Sequence, residues 1–99
     1  MQNQTVVIVG GASGLGLVTA KLMIRDGAAK IGLIDLNEER LALAAAELTS
    51  LGAEVATASA DISRKDSAHA GFELIAGKLG RVHALVNSAA IYPLSLIHI

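Results

Sequence analysis

Short β-branched runs alternate with longer helical segments along the whole chain. The runs are TVVIV at 5–9, KIGLID at 30–35, EVATASA at 54–60 and VHALVN at 82–87. Each is too short for a buried helix and is typical of a strand. Consecutive parallel strands need a crossover connection, and a helix usually supplies it. The sequence therefore predicts an α/β fold with four strands and three helices, in which βαβ units form a parallel sheet.

The three helical segments have recognisable starts and ends. Asn37 is the predicted N-cap of the second helix, and Ser63 with Asp66 has the pattern of a capping box before the third. Gly27, Gly52 and Gly80 follow the three segments as stop signals. Apolar residues recur at helical spacing in each segment: Leu15, Val18 and Leu22; Leu41, Ala45 and Leu48; Ala68, Phe72, Ile75 and Leu79.

A glycine-rich turn, GGASGLG at 10–16, joins the first strand to the first helix. Glycine permits a sharp turn and leaves the backbone open to a phosphate, and the free N–H groups of the helix N-terminus attract an anion. A P-loop is excluded because no Lys-Ser or Lys-Thr follows the glycines. A flexible turn without a ligand is the alternative. The flanking strand and helix favour a dinucleotide-binding turn, in which Gly10, Ser13, Gly14, Leu15 and Gly16 hold the pyrophosphate.

Asp35 ends the second strand, 19 residues after Gly16. A carboxylate at this place accepts hydrogen bonds from the adenosine ribose hydroxyls of NAD and repels the 2′-phosphate of NADP. The sequence therefore favours NAD over NADP, with Arg40 as the nearby basic residue that leaves NADP open. A solvated aspartate at a strand end is the alternative interpretation.

The composition excludes several classes of function. The 99 residues carry a net charge of −1 and no cysteine, which argues against nucleic-acid binding, disulfides and thiolate chemistry. The three histidines show no metal-ligand spacing. The N-terminus lacks the features of a signal peptide, and no apolar run is long enough to span a membrane. We therefore expect a soluble, cytoplasmic protein without a membrane or nucleic-acid partner.

Four stretches of the chain together resemble the short-chain dehydrogenase/reductase family. The glycine turn after Val9 and the acidic Asp35 match the family's first two motifs. The pair Asp61 and Ile62 matches a third, and NSAA at 87–90 matches the family's Asn-Asn-Ala-Gly. The resemblance covers residues 4 to 93 and implies a Rossmann-type fold.

The family resemblance also implies roles for these residues. Asp61 and Ile62 would contact the adenine, and Asn87 and Ala89 would contact the ribose nearer the nicotinamide. The full-length parent would be an NAD(P)-dependent dehydrogenase or reductase acting on an alcohol/ketone pair, and a homo-oligomer as is usual in the family.

The family's catalytic Ser and Tyr-x-x-x-Lys are absent from these 99 residues: Tyr92 is the only tyrosine, and position 96 is Leu. We therefore predict an N-terminal cofactor-binding fragment without catalytic residues; the alternative is a non-catalytic dinucleotide sensor.

The last six residues, LSLIHI at 94–99, have no helical periodicity and no resemblance to the family. The codons CTG TCT CTT ATA CAC ATC, which form the mosaic end of transposase-based sequencing libraries, translate to the same six residues. We therefore predict a truncated NAD-binding domain at 1–93 and a non-native tail, translated from a sequencing adapter, at 94–99.

Overall fold

The structure is a computed structural model that describes residues 4–10, 12 and 14–87. It confirms the predicted α/β class and the alternation of strands with helices. The elements, in chain order, are β1 (Gln4–Val9), α1 (Gly14–Arg25), β2 (Ala28–Asp35), α2 (Glu38–Ser50), β3 (Glu54–Ser59), α3 (Lys65–Leu79) and β4 (Ala84–Asn87). The predicted boundary between residues 93 and 94 lies outside the described residues.

The strands form one parallel sheet in the order β3-β2-β1-β4. β1 pairs with β2 on one side and with β4 on the other, so the direction of the strand order reverses at β1. β4 begins at Ala84, two residues later than the sequence predicts. His83 precedes the strand: its amide donates to the Thr5 carbonyl oxygen, while its imidazole Nδ1 accepts the Thr5 N–H at 3.0 Å.

Both faces of the sheet are covered by apolar side chains, as parallel sheets require. Because side chains alternate along a strand, Val6 and Ile8 of β1 lie in the core under α1 and α2. Val7 lies in the opposite core, against Ile75 and Leu79 of α3. The high apolar content of the sequence is therefore explained by strands that are buried on both sides.

The fully buried positions of α1 are small residues, while Leu17, Met23 and Ile24 pack against the same core and are partly buried. Gly16 and Ala20 are its buried positions. The apolar residues that repeat at helical spacing, Leu15, Val18 and Leu22, are 67%, 53% and 48% exposed. A stripe of large apolar residues normally marks the buried face of a helix, so the stripe of α1 identifies the helix correctly but not the face that packs.

The two later helices begin in different ways. Asn37 caps α2 as predicted, its side-chain oxygen accepting the Arg40 N–H at 2.9 Å. The capping box predicted for α3 is wrong, because Arg64 is the N-cap residue and makes no side-chain cap bond. Ser63 instead donates through both its amide and its hydroxyl to Asp61. In the described part of the chain, no helix has the length and apolar content to cross a membrane.

Candidate functional site

The carboxyl ends of all four strands lie at one edge of the sheet. In the register of the sheet, Val9 is opposite both Ile34 and Asn87, and Asp35 is opposite Ser59. The reversal of strand order at β1 opens a crevice outside these ends, and open α/β sheets bind their ligands at such a crevice. The topology thus brings the glycine turn, Asp35, Asp61 and Asn87 to the same edge.

The glycine turn starts directly at this edge. Gly10 has a φ of 78°, a left-handed conformation that favours glycine, and its amide donates to the Ile34 carbonyl oxygen at 2.6 Å. α1 begins at Gly14, so the N–H groups of its first turn lie beside the strand ends. Gly16 is buried and lets the helix approach the sheet, whereas Leu15 points away from the core.

Gly14 is not explained by packing. Among the described residues outside its chain neighbours and its own helix backbone, no atom lies within 4 Å of the place that a Cβ atom would take, and Gly14 is itself helical. A residue in the first turn of a helix would gain from alanine in place of glycine if only stability counted. The open space at the helix N-terminus is therefore the feature that fits an approaching phosphate group.

Asp35 uses both carboxylate oxygens in hydrogen bonds with the backbone. Oδ2 accepts the Ala12 N–H at 3.3 Å, and Oδ1 accepts the Asn37 N–H at 3.2 Å. The carboxylate is half-buried between the glycine turn and the start of α2. It is therefore held in one orientation at the end of β2.

A cleft of about 280 Å³ lies beside Asp35. Gly10, Asp35, Asp61 and Ile62, which the sequence predicts as cofactor-binding residues, line it together. Arg40 is also part of its wall. The structure thus joins the end of β2, the first turn of α2 and the segment after β3 in one concave surface. A volume near 300 Å³ is at the lower end for small-molecule sites and fits one part of a dinucleotide.

Asp61 accepts hydrogen bonds from Ser63, the residue that the sequence predicts as part of a capping box. Its Oδ1 accepts both the Ser63 hydroxyl and the Ser63 N–H, the latter at 3.0 Å. The bond from the Ser63 hydroxyl lowers the pKa of the Asp61 carboxyl most, followed by the bond from the Ser63 N–H. Desolvation raises the pKa, and the positive charge of Arg64 lowers it further. Asp61 is therefore an anionic hydrogen-bond acceptor at neutral pH.

Sequence analysis missed two residues of the cleft. Leu36, 65% exposed, and Ser63 both line it. The position of Leu36 could have predicted its place in the cleft. It directly follows Asp35 at the end of β2, where a large apolar side chain has no core to pack into.

Other predicted positions are not part of this cleft. Gly14, Leu15 and Gly16 lie at the start of α1, and Asn87 ends β4 with an exposed side chain. Ser13 and Ala89 lie outside the described residues.

The family model of the short chain dehydrogenases matches residues 4–98. The chain belongs to the short-chain dehydrogenase family. A short chain dehydrogenase/reductase of Macrophomina phaseolina is 42% identical over 92 residues, which are 92% of this chain and 52% of that protein. This family consists of NAD(P)-binding oxidoreductases, and the resemblance predicted from the four motifs is confirmed.

Solved structures have the same fold. An NAD⁺-bound xylitol dehydrogenase, 23% identical, aligns with a TM-score of 0.79 over 85% of this chain and 32% of its own. A putative dehydrogenase from Burkholderia cenocepacia with bound NADP, 25% identical, also has a TM-score of 0.79, over 87% of this chain and 34% of its own. The chain thus spans between one third and about half of the length of these relatives.

Proposed function

We propose that this chain is the cofactor-binding part of an NAD(P)-dependent oxidoreductase that interconverts an alcohol and a ketone. The observation that carries the proposal is the open space at Gly14, at the N-terminus of α1 and on the same edge of the sheet as the Asp35 cleft. The packing of the described residues gives no reason for glycine at this position, whereas a pyrophosphate would need the space.

Each part of the site has a separate task in this proposal. The N–H groups at the start of α1 bind the pyrophosphate, and Asp35 accepts hydrogen bonds from the adenosine ribose. Leu36 and Ile62 are the apolar groups in the wall of the cleft and contact the adenine ring, while Asp61 accepts from its amino group. Asn87, at the end of β4, positions the ribose nearer the nicotinamide. The bound cofactor itself supplies the hydride chemistry, and the protein supplies position.

NAD is the favoured cofactor. Asp35 is anionic and would repel a 2′-phosphate, but Arg40 in the same cleft wall would attract one. Asp35 is half-buried and fixed by two backbone N–H groups, whereas Arg40 is exposed on α2. A carboxylate held in one place distinguishes NAD from NADP better than a mobile, solvated guanidinium does. We therefore expect repulsion of the 2′-phosphate by Asp35 to outweigh its attraction by Arg40.

The test compares NAD and NADP binding to the wild-type chain, Gly14→Ala and Gly77→Ala by titration calorimetry. Gly77 is the matched control because a Cβ there also meets no atom within 4 Å, but it lies near the end of α3. We expect both variants to keep or gain stability, by up to about 1 kcal/mol. Only Gly14→Ala should lose NAD affinity, by about tenfold or more, because its methyl group occupies the phosphate's space. Equal affinity in all three proteins would contradict the proposal.

The 99-residue chain is expected to bind the cofactor without turning it over. The check is NAD reduction with a panel of secondary alcohols, where any turnover would show that the predicted lack of catalytic residues is wrong. A full-length parent that binds NAD but also fails to reduce it would favour a non-catalytic sensor. The cytoplasmic location, the homo-oligomeric parent and the adapter origin of residues 94–99 stay predictions.

A further inference from the structure

Two backbone amides in the described part of the glycine turn donate hydrogen bonds to the end of β2. The Gly10 amide donates to the Ile34 carbonyl oxygen, and the Ala12 amide donates to Oδ2 of Asp35. Ala12 and Asp35 are 23 residues apart in the sequence. Among the described residues at the start of the turn, Val9, Gly10 and Ala12 have no side-chain group that can form a hydrogen bond. The carboxylate of Asp35 supplies a side-chain hydrogen bond to the turn that these residues cannot supply themselves.

Asp35 is itself fixed from the opposite side. Its second oxygen accepts the Asn37 amide at 3.2 Å, which links the carboxylate to the start of α2. α2 is anchored on the sheet by Leu41 and Leu48, both buried. The Ala12 amide is thus connected through one carboxylate to a helix that is packed against the core.

The carboxylate has capacity for a ligand as well. Two carboxylate oxygens offer about four acceptor positions, and the Ala12 and Asn37 amides use two of them. Two ribose hydroxyls can therefore bind while both backbone bonds remain. Ribose binding and support of the turn do not compete.

We infer that Asp35 is a positioning residue for the glycine turn, in addition to its ribose contact. The inference rests on the proposed function, because the turn is the proposed pyrophosphate site. It follows that loss of the carboxylate weakens pyrophosphate binding even when the ligand has no ribose hydroxyls. A substitution at Asp35 intended to admit NADP would consequently lower the affinity for NAD, and it would gain less affinity for NADP than relief of the charge repulsion alone would give.

The first experiment measures the binding of 2′,3′-dideoxy-ADP, a pyrophosphate ligand without ribose hydroxyls, by calorimetry. Asp35→Ala should bind it about five- to tenfold more weakly than the wild type, the effect of one lost charge-assisted hydrogen bond. Asn37→Ala is the matched control: it removes the cap of α2 at the same edge but leaves the Asp35 carboxylate in place. Its affinity should stay within about twofold of the wild type, since α2 remains packed on the core. Unchanged binding by Asp35→Ala would overturn the inference and leave ribose binding as the role of Asp35.

The second experiment needs no ligand. Amide hydrogen exchange by NMR should show faster exchange of Ala12, relative to the core amide of Leu33, in Asp35→Ala but not in Asn37→Ala. Equal protection of Ala12 in both variants would overturn the inference. If the wild type binds neither NAD nor ADP, the proposed function fails, while the exchange of Ala12 still decides whether Asp35 supports the turn. Asp35→Asn, which retains one acceptor oxygen, replaces Asp35→Ala in both experiments if the alanine variant does not fold.

Discussion

The helices α1 and α2 pack on the same face of the sheet, but the apolar stripes that their sequences predict differ in burial. In α2, Leu41 and Leu48 are 3% and 0% exposed and form part of the core. In α1, the residues at comparable spacing, Val18 and Leu22, are about half exposed, and Ala20 is the residue that reaches zero exposure. The same periodicity therefore leads to burial in one helix and to exposure in the other.

The glycine turn accounts for this difference. α1 follows the turn at once and must begin close to the strand ends, so small residues face the sheet at the point of contact. α2 starts after the short Leu36-Asn37 connection, and its buried leucines, Leu41 and Leu48, pack on the sheet. The packed face of α1 therefore combines the small residues Gly16 and Ala20 with the partly buried Leu17, Met23 and Ile24.

The largest effect expected from this comparison is at Leu48. Leu48→Ala should lower the free energy of unfolding by about 2–5 kcal/mol, because it leaves a cavity in a fully buried site. Leu43→Ala, in the same helix but at a residue 73% exposed, is the control and should cost no more than about 0.5 kcal/mol. Urea denaturation measures both. A loss at Leu22→Ala as large as that at Leu48→Ala would show that the assigned buried face of α1 is wrong.

A smaller effect is expected at Ala20, where α1 touches the sheet. Ala20→Leu should cost about 1–3 kcal/mol, because the larger side chain forces the helix away from a packed core. Val18→Leu, which also enlarges a side chain but on the exposed face, should change stability by less than about 0.5 kcal/mol. The thermal midpoints of the two variants give the comparison. Equal midpoints would mean that Ala20 is not in contact with the sheet.

The smallest effect concerns the exposed stripe itself. Replacing Val18 and Leu22 together by glutamine should leave the free energy of unfolding within about 1 kcal/mol of the wild type. Self-association should decrease, since an apolar surface is exchanged for a polar one. Light scattering and urea denaturation of the same samples separate the two properties. A strongly destabilised double variant would show that the stripe packs on the protein.

Much of the fold was predictable because its signals are local. The alternation of β-branched runs with helical segments predicted the element order, and Asn37 and Gly80 were correctly identified at the ends of α2 and α3. The capping box at Ser63 was one local signal that failed, and the apolar stripe of α1, which is exposed, was another. Asp61, two residues before Ser63, competes for the same hydroxyl and amide.

The candidate site was predictable only in its individual residues. Gly10 and Asp35 were predicted as cofactor-binding residues from their places at strand ends, and Asp61 and Ile62 from the family resemblance; the structure brings the four to one cleft. The presence of Leu36 in the wall and the bond from Ala12 to Asp35 were not predictable, because they depend on how distant segments meet.

The sequence by itself determined the order of strands and helices, the glycine turn and the acidic residue that follows the second strand, because hydrophobic period and turn chemistry are encoded within a few neighbouring residues. The tertiary structure decided which face of α1 is buried and what the carboxylate of Asp35 binds. Both depend on the distance between segments that are far apart in the chain, and packing sets that distance only after the sheet has formed.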